Sequence, residues 1–432
     1  MLSEAQLNPA ELLGQKTRTA RLNEQFWKLP TPAFVFDELL LEDNLRYLKQ
    51  LQAALGIKII FAQKSYSFYA TYPLISRYLP GTTSSGLYEA RLAKEEFPGE
   101  IHVFSPGYTE KEMTELVEFA DHIYFNSFDQ WQRFKGLIER AGGRGRKIKV
   151  ALRINPEFSR TERDIYNPAG PYSRLGISLS EFKKGVARYG LKGVDGLHFH
   201  ALCEENAEPL AEIVDLFRKN FAPYLKQMSW VNFGGGHHLT RSDYRVDILA
   251  KTIQDYRTQY PDQEIYLEPG EAISLDTGFM VTEVLATGKN QVNFAILDSS
   301  ASCHMPDILE VPYRPRAFLL DENYQENGYY LEAEGVDDRG LDNCFDDPKL
   351  FRLGGASCLA GDIIGNYIFP RPLRLGDRLA FADMALYAHV KTNSFNGMPL
   401  PALVRFDRNN QVIIEREFSY RDFKSKLGKF DV

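Results

Sequence analysis

Trp230-Val231-Asn232-Phe233-Gly234-Gly235-Gly236 is the stretch on which the fold turns. A short run of β-forming residues closes on three glycines, the pattern of a buried strand ending in a turn. The pattern repeats in both directions. Downstream, Glu264 to Leu267 closes on Glu268-Pro269-Gly270-Glu271, and upstream Val194 to His200 ends in His198-Phe199-His200. Further upstream lie Lys149 to Ile154, His122-Ile123-Tyr124-Phe125, Ile101-His102-Val103-Phe104, Thr82-Thr83-Ser84 and Ile59-Ile60-Phe61-Ala62. Charged stretches with helical apolar spacing separate several of these eight runs, and the helix leading in aligns Leu41, Leu45, Leu48 and Leu55 on one stripe. Eight parallel strands alternating with helices over about 210 residues predict a (β/α)8 barrel, whose usual size is about 250 residues. A doubly wound open sheet is the alternative, but its glycine fingerprint after the first strand is absent.

Beyond Gly270 the texture changes to short alternating segments such as Phe294-Ala295-Ile296-Leu297, Leu379-Ala380-Phe381 and Val412-Ile413-Ile414, separated by Pro, Gly and Asn turns. These predict an all-β second domain, either a β-barrel or a sandwich. The expected organisation is an N-terminal extension over 1–30 packing with the β domain, a barrel over 31–272 and a β domain over 273–432. Residues 321–349 form an acidic insertion with ten acids against Arg339 and Lys349. It reads as a solvated loop, with a binding surface for cations as the alternative.

The 432 residues suit about two domains, and 44% hydrophobic with 25% charged residues suits a folded, soluble protein. With 51 Lys and Arg against 58 Asp and Glu, the net charge of -7 argues against nucleic acid or an anionic membrane as partner. Removing 321–349 leaves 48 acids and 49 bases, so the acidity is local. No apolar stretch reaches the ~18 residues of a membrane span, and the first thirty residues interleave charges without a signal-peptide core. A cytoplasmic location is expected. The four cysteines (Cys203, Cys303, Cys344 and Cys358) lack CxxC spacing, so neither a disulfide framework nor a structural zinc site is expected.

In a barrel the chemistry sits at the carboxyl ends of the strands. The first run ends in Ala62-Gln63-Lys64, although a single strand-end lysine is more often a surface residue. In the sixth, the period of two puts His198 and His200 on one side. Gly234, Gly235 and Gly236 let backbone amides approach an anion, or simply form a mobile turn. The eighth run presents Glu268 in a stiff turn. An amine, an imidazole, a phosphate cradle and a carboxylate together suit pyridoxal 5'-phosphate, which needs a Schiff-base lysine and a partner for its ring nitrogen. Decarboxylation and proton abstraction remain equally open on this pattern. Metal binding by the adjacent pair His237 and His238 is not expected, because no matching ligand spacing accompanies them.

Many further segments resemble one group of enzymes: Gly86-Leu87-Tyr88-Glu89-Ala90, Asn155-Pro156-Glu157, Ser173-Arg174-Leu175-Gly176, His198 through Glu204, Trp230 through His238, Glu268-Pro269-Gly270-Glu271-Ala272, His304-Met305-Pro306-Asp307, Tyr313-Arg314-Pro315, Cys358-Leu359-Ala360-Gly361-Asp362 and Ser394-Phe395-Asn396-Gly397. From Thr31 to Gly397 the chain resembles the fold-type III pyridoxal-phosphate enzymes, the alanine racemase and ornithine decarboxylase group, and within it the carboxynorspermidine (carboxyspermidine) decarboxylase branch. The resemblance implies that Lys64 carries the cofactor, His200 stacks on its ring, Gly234 to Gly236 and Tyr387 hold its phosphate, and Glu268 bonds its ring nitrogen. It also implies a homodimer with shared sites, in which Cys358 comes from the partner as proton donor with Asp362 in support. Related decarboxylases carry Arg after Glu-Pro-Gly, where this chain has Glu271. A carboxylate there suits a substrate ammonium, so Glu271, Asp307 and Asp362 are assigned to a polyamine substrate. The implied reaction is loss of CO2 from carboxynorspermidine or carboxyspermidine, giving norspermidine or spermidine. A decarboxylase of ornithine, lysine or diaminopimelate, a racemase, and a non-catalytic cofactor-binding homologue are the alternatives. Residues 1–30 and 321–349 exceed the family outline.

Overall fold

The eight runs become one closed parallel sheet. The computed structural model describes residues 9, 24–143, 147–161, 164–311, 313–325 and 328–429. These divide into one compact unit over Glu42–Ile273 and a second that joins 24–41 to 274–429. Strand β1 (Ala33–Asp37) belongs to the second.

In the first unit, β2 (Lys58–Ile59), β3 (Phe61–Ala62), β4 (Gly81–Ser84), β5 (Glu100–Phe104), β6 (His122–Phe125), β7 (Lys149–Arg153), β8 (Gly196–His198), β9 (Trp230–Asn232) and β10 (Glu264–Leu267) pair in the order β2-β10-β9-β8-β7-β6-β5-β4-β3. Strands β2 and β3 are two halves of one strand interrupted at Ile60, whose N–H still donates to the Leu267 carbonyl at 2.9 Å. One half pairs with β10 and the other with β4, so the sheet closes as a barrel of eight. Its interior holds Ile60, Tyr124, Ala151, Trp230 and Tyr266, more aromatic than the branched aliphatic layers usual in such barrels. The surrounding helices follow from local sequence. In Phe128–Gly142, Ser127 caps the first turn by accepting the Gln130 N–H, while Phe128, Trp131, Phe134 and Ile138 bury one face.

The second unit adds β11 (Gly278–Asn290), β12 (Val292–Leu297), β13 (Ala317–Gln325), β14 (Gly328–Val336), β15 (Leu350–Gly355), β16 (Ile363–Ile368), β17 (Arg378–Ala382), β18 (Ala402–Phe406) and β19 (Val412–Arg416). Their order is β12-β15-β16-β14-β13-β17-β11-β1-β18-β19. The long β11 pairs with β17 and β1 along its first part and with β12 along the rest, which closes the sheet on itself. Phe26 and Leu29 lie in this unit's core with Val35, Phe279, Phe318 and Val404, and Phe26 stacks on Phe406 with ring centroids 5.0 Å apart.

Two features differ from the sequence expectation. Residues 31–41 fall outside the barrel, because β1 pairs with β11 and β18 of the second unit. All five of its residues are buried, a pattern that marks a central strand of either domain and names no partner. The acidic stretch is in part a β13–β14 hairpin inside the sheet rather than a loop. Ala333 points inward while Glu332 and Glu334 stay exposed, so these two acids occupy the solvent face of a strand, whereas Asp337, Asp338, Asp342, Asp346 and Asp347 follow β14 outside the strands. Of the extension 1–30, all but 9 and 24–30 lies outside the described residues, as do 326 and 327 of the insertion. Among the described residues no helix is long and apolar enough to cross a membrane.

Candidate active site

Lys64 stands two residues past β3, in a turn anchored by its neighbour. The Gln63 amide donates to Ser84 Oγ (2.7 Å) and the Glu89 carbonyl (2.9 Å) and accepts from the Tyr72 hydroxyl (2.9 Å), three bonds that anchor the turn. Lys64 Nζ lies 3.2 Å from His200 Nε2, and His200 Nδ1 accepts the Gly235 N–H at 2.9 Å. Burial lowers the Lys64 pKa and the Arg153 guanidinium lowers it further, against the opposing pull of Glu271 and Glu268. His200 is held well below its ordinary value by burial, with Lys64 and Arg153 adding to the effect. Arg153, the last residue of β7, donates to the His200 carbonyl at 3.2 Å and lies over Phe104.

Glu268 follows β10 and is gripped by Asn232, whose Nδ2 donates to Oε1 at 2.6 Å. Burial by itself raises the Glu268 pKa, but His198, His102 and the Asn232 amide outweigh it and bring the carboxyl down to about 2. Of these the Asn232 bond is the firm one. His198 Nε2 sits 3.6 Å from Glu268 Oε2, too long for a hydrogen bond. Burial also lowers the pKa of His198 itself, against the opposing pull of Glu268.

The glycines between them have no room for side chains. A Cβ on Gly235 would stand 2.0 Å from the Glu268 carbonyl oxygen, and one on Gly236 (φ +86°) would stand 2.0 Å from the Leu202 carbonyl oxygen. The cradle is narrower than three amides. The Gly234 N–H donates to Asn232 Oδ1 (2.8 Å) and that of Gly235 to His200. Among the described residues, only the Gly236 N–H of the three has no partner.

Glu271 opens the short helix Glu271–Ser274 and is hydrogen-bonded to His238 Nε2. Burial disfavours charge on His238, yet the Glu271 hydrogen bond and charge prevail and raise its pKa. The adjacent His237 turns the other way, with Nδ1 on the Tyr244 hydroxyl at 2.9 Å. Cys203 lines the same region, its thiol pushed up to about 12 by burial and by Glu271 and Glu204. Sequence reasoning missed Arg153, Asn232 and His238. Its usable signals were a cation ending a barrel strand and a polar residue inside a core run.

The remaining predicted residues belong to the second unit. Cys358 is exposed in the turn between β15 and β16, its N–H donating to Asn396 Oδ1 at 2.8 Å. Asp362 is buried, accepting from Ser300 Oγ (2.8 Å), the Ser302 N–H (3.1 Å) and Ser357. Its carboxylate therefore braces the Cys358 turn from within. Asp307 is paired with Lys391, which also reaches Glu310, and burial raises its pKa despite that pairing. Tyr387 sits at φ +48° in the irregular segment after β17.

A lysine amine facing an imidazole across the mouth of a barrel, with an ionised buried carboxylate and an open backbone amide nearby, is the donor set of a pyridoxal-phosphate enzyme. Comparison narrows the class. Residues 33–385 match the family described as "Pyridoxal-dependent decarboxylase, C-terminal sheet domain". A carboxynorspermidine/carboxyspermidine decarboxylase from Campylobacter jejuni is 37% identical over 92% of this chain and 98% of its own. A carboxyaminopropylagmatine decarboxylase from Synechocystis is 36% identical over 94% of this chain and 97% of its own. The crystal structure of carboxynorspermidine decarboxylase complexed with norspermidine from Campylobacter jejuni superposes with a TM-score of 0.78 at 35% identity, covering 92% of this chain and all of that one. Diaminopimelate decarboxylase from Helicobacter pylori shares the fold, with a TM-score of 0.75 at 18% identity over 94% of this chain and 99% of that one. The chain belongs to the pyridoxal-dependent decarboxylases. It is a carboxy-lyase that uses pyridoxal 5'-phosphate, on the fold-type III plan of a (β/α)8 barrel with a closed β domain.

Proposed function

We propose that this enzyme removes CO2 from a carboxylated polyamine, carboxynorspermidine or carboxyspermidine, to give norspermidine or spermidine. The observation that carries the reading is Glu271, a carboxylate beside the Lys64 and His200 pair that is hydrogen-bonded to the His238 imidazole and raises its pKa. A carboxylate that favours positive charge on its partner is a natural seat for an ammonium of a long polyamine. The carboxynorspermidine/carboxyspermidine relative supports the same substrate class.

Lys64, His200, Glu268, the Gly236 amide and Tyr387 hold the cofactor, which when bound supplies an electron sink for the bond to the departing carboxylate. Lys64 contributes a nucleophilic amine and Glu268 keeps a proton on the ring nitrogen. Glu271 and Asp307 bind substrate ammonium groups, and Asp362 supports the turn that carries Cys358 instead of contacting substrate. Cys358 delivers its Sγ proton to the substrate α-carbon after CO2 leaves. The working enzyme is a cytoplasmic homodimer in which each site takes Cys358 from the partner subunit.

The Synechocystis relative favours one second reading, carboxyaminopropylagmatine as substrate. Product identification after incubating the holoenzyme with each of the three carboxylated amines separates these readings. The preferred one fails if only carboxyaminopropylagmatine is consumed.

A further inference from the structure

A continuous hydrogen-bonded chain runs from Glu268 through the middle of the barrel to its opposite end. Asn232 Nδ2 donates to Glu268 Oε1 (2.6 Å) and also lies 2.9 Å from the Tyr124 hydroxyl. The Tyr124 hydroxyl lies 2.7 Å from His102 Nδ1, and His102 Nε2 lies 3.1 Å from Glu100 Oε2. Glu100 in turn takes Lys58 Nζ on Oε1 (2.9 Å) and the Tyr266 hydroxyl on Oε2 (3.1 Å). Asn232, Tyr124 and His102 are all fully buried.

The direction of each bond follows from two fixed ends. The Gly234 N–H can only donate, so the atom it meets at 2.8 Å is the Asn232 oxygen and the amide nitrogen faces Glu268 and Tyr124. With both amide hydrogens engaged, the Tyr124 oxygen accepts from Asn232 and gives its own hydrogen to His102 Nδ1. The His102 proton is then on Nε2, where it meets the Glu100 carboxylate. Burial raises the Glu100 pKa, but the bonds from His102 and Lys58 overcome this and leave it at about 2. A buried polar chain in place of aliphatic packing is unfavourable unless every member is satisfied, and here each one is.

We propose that Asn232 is a positioning residue that couples the glycine turn to Glu268, and that Tyr124, His102 and Glu100 fix its amide from the far end of the barrel. The inference rests on Glu268 serving the ring nitrogen of the cofactor. Asn232 touches Gly234 and Glu268 at once, so a shift at either is felt by the other. Removing the Tyr124 oxygen strands an Asn232 N–H in the core and loosens that grip.

The test reconstitutes the holoenzyme with pyridoxal phosphate carrying 15N in the ring, and measures cofactor affinity and the 15N resonance in wild type, Asn232→Ala, Tyr124→Phe and Glu268→Gln. Asn232→Ala should weaken cofactor binding about tenfold, the effect of losing one hydrogen bond to a charged group. It should also move the resonance toward its unprotonated position. Tyr124→Phe should do the same to a smaller degree, and since it loses one oxygen and keeps its ring it decides the matter if Asn232→Ala does not fold. Wild-type affinity and resonance in the folded variants, with a moved resonance in Glu268→Gln, would overturn the positioning role alone. An unmoved resonance in Glu268→Gln would instead overturn the role of Glu268.

Discussion

Lys64 Nζ and His200 Nε2 meet at 3.2 Å, on a ring whose other nitrogen accepts the Gly235 N–H. A neutral imidazole held that way carries its hydrogen on Nε2, so the lysine nitrogen facing it must accept. Only the uncharged amine has a lone pair to do so. The hydrogen bonding and the lowered Lys64 pKa thus agree that the nucleophile stands ready as an amine.

Because Arg153 is the charged neighbour that depresses Lys64 most, Arg153→Met should raise the Lys64 pKa toward its ordinary value. Less amine is then present at neutral pH. Capture of pyridoxal phosphate by apo-enzyme, followed by visible absorbance, should slow at neutral pH and recover at alkaline pH. An unshifted pH profile would remove Arg153 from this role.

The pairing of His238 with Glu271 gives stability a definite pH dependence. The folded pKa of His238 is raised, so its contribution is fully present below the unfolded value of about 6.5 and is lost as pH rises through the folded pKa. His238→Gln should cost ~3 kcal/mol near pH 6, as loss of one partner from a buried pair does. The difference from wild type should shrink toward alkaline pH in denaturant titrations. The same variant leaves Glu271 without its cation and should alter KM for the polyamine more than kcat.

At Gly235 an added Cβ meets the Glu268 carbonyl oxygen at 2.0 Å, a backbone atom that cannot turn aside. Gly235→Ala should therefore destabilise the barrel by roughly 1–3 kcal/mol and weaken cofactor binding, both measurable by thermal unfolding with and without pyridoxal phosphate. Wild-type behaviour in both would show that the turn opens more readily than its packing implies.

Shared sites make a prediction by mixing. Lys64→Ala and Cys358→Ala should each be inactive or nearly so in forming the polyamine product. Random reassortment of the two gives heterodimers in about half the population, each with one intact site of two, so about a quarter of wild-type activity should return. No recovery, with subunit exchange demonstrated, would place both residues in one chain's site, and full activity of Cys358→Ala by itself would remove Cys358 from the reaction.

The legible parts of this molecule were those with local signatures. Each barrel strand from Ile59 to Leu267 announces itself by a β-forming run and a turn, and Lys64, His200 and Glu268 stand where those runs end. Strand β1 was hidden because its burial on both faces carries no information about which sheet it joins. The β13–β14 hairpin was obscured by acids on its solvent face. Asn232, Arg153 and His238 escaped for a related reason, since each acts by meeting a residue distant in sequence. Asn232 reaches Glu268 from the adjacent strand and His238 reaches Glu271 from another loop, pairings that closure of the barrel creates.

The most direct test of the account is CO2 release by the holoenzyme, with product identification, from carboxynorspermidine and carboxyspermidine beside ornithine, lysine and diaminopimelate. The expected result is CO2 with norspermidine or spermidine from the long substrates, and a KM for them that rises at least about tenfold in Glu271→Gln, as loss of a charged contact implies. Release from a short amino acid but from neither carboxylated polyamine would contradict it.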